Sequence, residues 1–145
     1  MTCQNLLNLV KTGALKAEPP DAREFAGLLR SGVVRLADAQ MLGLSPESRF
    51  DLAYNAAHAL ALAALRHKGF RSENRYLVFQ SLAHTLDMPA AEWRVLALCH
   101  DRRNLAEYEG VIELDERLLK DLLRIAGLLA EKVAQLPEPA SSGLR

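Results

Sequence analysis

The chain has 145 residues, of which 50% are hydrophobic and 25% charged, as in an ordinary globular protein. Eighteen Lys and Arg residues balance 18 Asp and Glu residues, so no overall positive field would draw the protein to nucleic acid or to an anionic membrane. Its two cysteines, Cys3 and Cys99, are far apart in the sequence, which argues against a disulfide framework. Its longest apolar run, residues 59–65, is too short to span a bilayer. Since the N-terminus lacks a signal-peptide pattern, we expect one cytoplasmic domain.

The first half of the chain predicts two helical regions separated by a linker. A short helix is predicted over residues 4–12, and the Pro-Pro pair in residues 16–20 prevents its continuation. Asp21 then caps a second helix. Ser31-Gly32 is expected to interrupt this helix, whose second piece would run from Val33 to about Leu42.

The strongest helix start in the chain is Ser45-Pro46-Glu47, which combines a capping hydroxyl, a proline in the first turn and an acidic residue. The helix that it opens is predicted to run to Lys68. Many alanines on this helix would allow close contact with its neighbours. Its predicted core face consists of Phe50, Ala53, Tyr54, Ala57, Ala61, Ala64 and Leu65.

Three further helix signals follow. Ser72 is predicted to cap a helix, and a turn before residue 90 leads to a helix over 90–109 that Gly110 closes. Asp115 is predicted to cap a last amphipathic helix. No segment is predicted to form a strand ladder.

These elements predict an all-α fold, an antiparallel up-and-down bundle of about five to six helices. Residues 1–15 would be a short N-terminal helix, residues 21–136 the bundle, and residues 137–145 a disordered tail. We expect the 45–68 and 89–109 helices to pack together at the centre.

One helical stripe concentrates polar chemistry. At 100° per residue, an arc of roughly 140° holds His100, Arg103, Asn104, Glu107 and Tyr108. The opposite side of the helix is apolar and includes Leu98 and Leu105, which predicts a helix buried on both sides. The stripe must then face a cleft or be neutralised inside the fold, for example by an Arg103–Glu107 pair.

A second candidate is a basic run that contains Arg66, Lys68, Arg71 and Arg75. Cations at a helix C-terminus stabilise the helix dipole, so a structural role is favoured over a phosphate-binding patch. His58 and His84 are interpreted as core or boundary residues. The histidines lack metal-ligand spacing and the glycines are isolated, so neither a metal nor a cofactor is predicted.

Three segments, residues 49–57, 68–71 and 100–110, together resemble the HEPN superfamily, and in particular its small stand-alone bacterial members. The resemblance implies a helical bundle that pairs as a homodimer. In catalytic members, an arginine and a following histidine meet across the dimer cleft and cleave RNA without a metal. Many members are toxins or partners of minimal nucleotidyltransferases.

Arg103 and Asn104 match the family motif, whereas Tyr108 stands where the histidine is expected and His100 precedes the arginine. A tyrosine is a poor proton shuttle at neutral pH. We therefore expect a non-catalytic protein that binds RNA, a nucleotide or a partner protein. The expected binding residues are Arg102, Arg103, Asn104, Glu107 and Tyr108.

Two alternatives remain open at this point. In the first, the chain is a metal-independent endoribonuclease toxin of a toxin–antitoxin pair, with His100, Arg103 and Tyr108 as candidate catalytic residues and an antitoxin or nucleotidyltransferase as partner. In the second, it is an adaptor whose helical face docks another protein.

Overall fold

The computed structural model describes residues 2–110 and 114–139 of an all-α helical bundle. Within these residues, six helices of at least six residues and one four-residue helical turn confirm the predicted five to six helices. The elements in chain order are α1 (Thr2–Lys11), β1 (Lys16–Ala17), α2 (Ala22–Ala39), α3 (Pro46–His67), β2 (Phe70–Arg71), α4 (Arg75–Gln80), α5 (Leu82–Thr85), α6 (Ala90–Glu109) and α7 (Glu116–Ala134).

Helix α3 forms the centre of the bundle, where it packs most extensively against α2 and α7. Its predicted start is confirmed, since the Ser45 hydroxyl accepts the Ser48 amide at 3.1 Å and Pro46 occupies the first turn. All seven residues of its predicted core face are buried. Gly69, with φ +90°, follows the end of the helix in the left-handed conformation that favours glycine.

The predicted interruption of the second helix at Ser31-Gly32 is wrong, because α2 is continuous through Gly32. This glycine is buried where α2 crosses α3, and a Cβ atom added to it would overlap the Leu60 side chain. The glycine therefore permits close helix packing rather than ending the helix. The helix does end earlier than predicted, at Ala39.

The region between α3 and α6 also differs from its prediction. The cap of α4 is Asn74, whose side chain accepts the Leu77 amide at 3.2 Å, rather than Ser72. One predicted helix is divided at Ser81 into α4 and α5. The expectation of no strand pairing is also wrong, since β1 and β2 pair antiparallel over two residues each.

Helix α6 packs mainly against α4 and α7 and contacts α3 less extensively, so the expectation that α3 and α6 form the central pair is wrong. Its boundary at Gly110, with φ +74°, is as predicted. Leu98 and Leu105 are 42% and 50% exposed, and the helix is therefore not buried on both sides. Its buried side is formed by Leu96, Ala97 and Cys99.

The ends of the described chain pack against the same bundle. Leu6 of α1 and Leu15 join the core formed by the later helices. Asp115 caps α7 as predicted. The Pro137 carbonyl accepts a hydrogen bond from Nε2 of His67 at 2.8 Å, so residues 137–139 have a contact with the bundle, and residues 140–145 of the predicted tail lie outside the described residues. None of the described helices combines the length and apolarity that a membrane crossing requires.

Candidate functional site

The candidate site is centred on Tyr54 of α3, whose side chain is 1% exposed. Two guanidinium groups lie over its ring: Cζ of Arg75, from α4, is 5.5 Å from the ring centroid, and Cζ of Arg103, from α6, is 5.1 Å from it. His100 contacts the hydroxyl. We call Tyr54, Arg75, His100 and Arg103, with their polar neighbours, the Tyr54 site.

His100 links Tyr54 to the surface of α6. Its Nδ1 lies 2.8 Å from the Tyr54 hydroxyl, and its Nε2 lies 3.1 Å from the side-chain nitrogen of Asn104. Both ring nitrogens of His100 therefore contact protein groups. Burial raises the pKa of Tyr54, against the opposing effects of Arg75 and Arg103, so Tyr54 remains a phenol at neutral pH.

Arg103 is bound by two carboxylates. Its Nε donates to Asp51 at 3.0 Å and its Nη1 to Glu107 at 3.4 Å, so the predicted Arg103–Glu107 pair is present. Both carboxylates, together with Glu47, line an open groove of about 420 Å³ that Phe50 also lines. Three carboxylates against one arginine make this groove acidic, which disfavours a phosphate there.

Arg75 has a different environment. Its Nη1 donates to Oδ1 of Asn55 at 3.1 Å, and among the residues that the structure describes no carboxylate lies within ion-pair distance of it. His58 packs edge-on against Phe79, and burial lowers its pKa to about 4, with Arg75 and His100 adding to the effect. Among the described residues, Arg75 therefore has no carboxylate as a direct partner.

The remaining predicted binding residues lie outside this centre. Asn104 is exposed beside His100, and Tyr108 is 91% exposed. Arg102 is half-buried and near Cys99. Burial, against the effect of Arg102, raises the pKa of the Cys99 thiol to about 12, so this thiol is unreactive at neutral pH.

The basic run does not form one patch. Arg66 is 2% exposed, and its Nε donates to Glu24 at 2.7 Å, while its other nitrogens donate to the carbonyls of Glu18 and Pro19 at 2.9 and 2.7 Å. Arg71 binds the same two glutamates. We call these residues the Arg66 network. Lys68 is exposed at the end of α3, and Arg75 belongs to the Tyr54 site.

Sequence analysis placed Tyr54 in the core but missed its role, and it did not identify Asp51 or Asn55. Both lie within the segment 49–57 that carries part of the HEPN resemblance. Their spacing of three and one residues from Tyr54 places all three on the side of α3 that meets α4 and α6. This spacing was the sequence signal that could have identified Asp51 and Asn55 as site residues.

Comparison of the chain with family models, curated proteins and solved structures found no significant match. Across the described residues, no group of three or more His, Cys, Asp or Glu side chains is arranged to hold a metal ion.

Proposed function

We propose that this chain is a HEPN-type bundle that binds RNA or a nucleotide at the Tyr54 site and along α6, without cleaving it. The observation that carries the proposal is the convergence of Arg75 and Arg103 over one tyrosine ring, with exposed Asn104 and Tyr108 on the same helix as Arg103. Arg75 and Arg103 are far apart in the sequence, and the packing of α4 and α6 against α3 brings them together.

The three residue types match the parts of a single-stranded nucleotide. A guanidinium binds phosphate oxygens through paired N–H donors. The amide of Asn104 can bind the polar edge of a base. The ring of Tyr108 is 91% exposed, so its face is available to stack on a base.

Absence of cleavage is proposed because no histidine of the site is placed to transfer a proton to a substrate. Both ring nitrogens of His100 bind protein groups. His58, with its pKa lowered to about 4, is neutral and a weak base. The alternative is a metal-independent endoribonuclease of a toxin–antitoxin pair, and it is favoured by the proximity of His100 to Arg103 on the same helix.

The experiment is binding of a fluorescein-labelled single-stranded RNA of mixed sequence, followed by anisotropy in EDTA, with a gel of the same samples. We expect binding with the RNA intact. Tyr108→Ala should weaken binding by about tenfold, since stacking contributes roughly 1–3 kcal/mol per base. Leu42→Ala is the control, because Leu42 is 84% exposed and lies on the α2–α3 connection.

Two results would contradict this proposal. If the wild-type protein does not bind RNA at low salt, the binding function is wrong. If RNA is cleaved in EDTA and the cleavage disappears in His100→Ala and Arg103→Ala, the endoribonuclease alternative is correct.

We also propose a homodimer along the outer face of α6, supported by the exposed Leu98 and Leu105. If two copies of α6 pair antiparallel about a two-fold axis, Leu98 faces the partner's Leu105 and Arg94 faces the partner's Glu109. Sedimentation should show a dimer that Leu98→Asp dissociates. A wild-type monomer at tens of micromolar would exclude this interface.

A further inference from the structure

The two arginines of the Tyr54 site differ in the charge around them. Arg103 is 29% exposed and donates to Asp51 and Glu107, so its charge is already balanced. A phosphate that binds Arg103 must displace these carboxylates or approach them against electrostatic repulsion.

Arg75 forms no ion pair with a carboxylate within the described ranges. It is nonetheless held in place by the Tyr54 ring and by Asn55, which uses one of the five N–H donors of the guanidinium. Asn55 lies between Arg75 and the Asp51 carboxylate, to which its own amide nitrogen donates at 3.4 Å. The remaining donors of Arg75 have no described carboxylate as a direct partner and can bind an anion.

We propose that Arg75, rather than the motif residue Arg103, binds the phosphate of the RNA or nucleotide at the Tyr54 site. This inference rests on the proposed function, since it names the residue that binds the ligand's phosphate. Because Arg75 is already held in place before the ligand binds, its side chain loses less conformational entropy on binding. The fork of a fixed guanidinium can then bind two phosphate oxygens at once.

Arginine variants in the RNA anisotropy assay test this assignment. Arg75→Gln should weaken binding by about tenfold or more, as expected for loss of a charge-assisted hydrogen bond. It should also reduce the slope of log K against log salt by roughly 0.7, the value for one phosphate contact on a single strand. Arg75→Lys should preserve the slope while binding more weakly, because it retains the charge without the fork.

Arg103→Gln is expected to change affinity by less than about fivefold, the range typical of an exposed ion pair. Lys68→Gln is the matched control, since Lys68 belongs to the same basic run but lies near the Arg66 network, and it should bind as the wild type does. Thermal melting of each variant checks that it is folded. If Arg103→Gln loses more affinity than Arg75→Gln, the inference is wrong while the proposed function stands.

A second measurement separates the inference from the proposed function. Inorganic pyrophosphate is titrated into nitrogen-15-labelled wild-type protein, and the arginine Nε–H signals are followed by NMR. We expect the Arg75 signal to shift and the Arg103 signal to move much less. A shift of Arg75 in a protein that does not bind RNA would overturn the RNA function and retain the anion site. No shift of Arg75 would overturn the inference.

Discussion

The Arg66 network and the Tyr54 site lie at two positions along helix α3, and each contains arginines, but the partners of these arginines differ. Tyr54 and Arg66 are 12 residues apart on α3, or roughly 18 Å along its axis. In the Arg66 network, a guanidinium that is 2% exposed is matched by two carboxylates and backbone carbonyls. In the Tyr54 site, Arg75 has an amide and a ring as its partners and no described carboxylate.

The difference shows how a structural arginine can be distinguished from a functional one. A buried charge must have its partners within the protein, because otherwise the cost of desolvation is several kcal/mol. The Arg66 network meets this requirement and joins the linker after β1 to α2 and α3. The half-buried Arg75 still contacts water, so it can retain donors for a ligand without a large loss of stability.

The largest expected effect is on the stability of arginine variants. Arg66→Met should lower the free energy of unfolding by roughly 3–5 kcal/mol, because Glu24 loses one of its two arginine partners and the carbonyls of Glu18 and Pro19 lose their donor. Arg103→Met should lower it by at most about 1 kcal/mol, because its partners are exposed. Urea unfolding of both variants measures the contrast, and equal losses would remove the distinction between the two regions.

Substitutions at two leucines test how α6, which carries His100 and Arg103 of the Tyr54 site, is packed against the bundle. Leu96→Ala should cost roughly 2–5 kcal/mol, since Leu96 is 0% exposed and its loss creates a cavity. Leu98→Ala should cost less than about 1 kcal/mol, as Leu98 is 42% exposed in the monomer. Urea unfolding below the dimer concentration is the measurement. A large loss in Leu98→Ala would show that the outer face is part of the core.

Acid should destabilise the two regions over different pH ranges. In the unfolded state, His58 becomes protonated below about pH 6.5, whereas in the folded state His58 stays neutral down to about pH 4. The free energy of unfolding should therefore decrease by on the order of 1–3 kcal/mol as the pH falls between these values. The pKa of Glu24 is lowered in the folded state: burial acts to raise it, but the hydrogen bonds and charges of Arg71 and Arg66 outweigh that effect. Its contribution is therefore lost only as the pH falls below about 4.5.

This pH dependence can be assigned by mutation. In urea unfolding at pH 7.0, 5.5 and 4.5, His58→Gln should remove most of the loss above pH 4.5. Glu24→Gln should lower the free energy of unfolding at pH 7.0 but should leave its decrease between pH 7.0 and 4.5 unchanged. A wild-type stability that is constant from pH 7.0 to 4.5 would contradict the assignment to His58.

The smallest effect is expected when the acidic groove is neutralised. Asp51→Asn removes one carboxylate from Arg103, so RNA affinity should increase by about two- to fivefold with a change in stability below about 1 kcal/mol. Asp101→Asn is the control for net charge, since Asp101 is an exposed residue of α6. An equal gain in both variants would indicate a general charge effect rather than a property of the groove.

Much of the fold could be predicted because its signals are local. The start of α3 at Ser45-Pro46, the cap at Asp115 and the end of α6 at Gly110 were predicted correctly, since each depends on the backbone needs of a few neighbouring residues. The same local reasoning failed at Gly32. A glycine that ends a helix and one that admits a neighbouring helix have the same sequence signal, and only the contact with Leu60 distinguishes them.

The candidate site was predicted in part. The polar stripe of α6 was identified, but the interpretation of Leu98 and Leu105 as buried residues was wrong, since periodicity shows which residues share a face and not what covers that face. Arg66 and Arg75 could not be separated by sequence, because both belong to one basic run. Their environments differ through partners that lie up to 48 residues away.

By itself, the sequence determined the all-α class, most helix boundaries and the amphipathic faces of this protein, because hydrogen bonding and capping within a helix depend on nearby residues. Tertiary structure decided which charges are neutralised. Arg66 meets Glu24 from α2, and Arg75 and Arg103 meet over Tyr54, through contacts that form only when distant helices pack. Charge balance is a property of three-dimensional neighbours, and it is this balance that separates the structural arginine from the one proposed to bind phosphate.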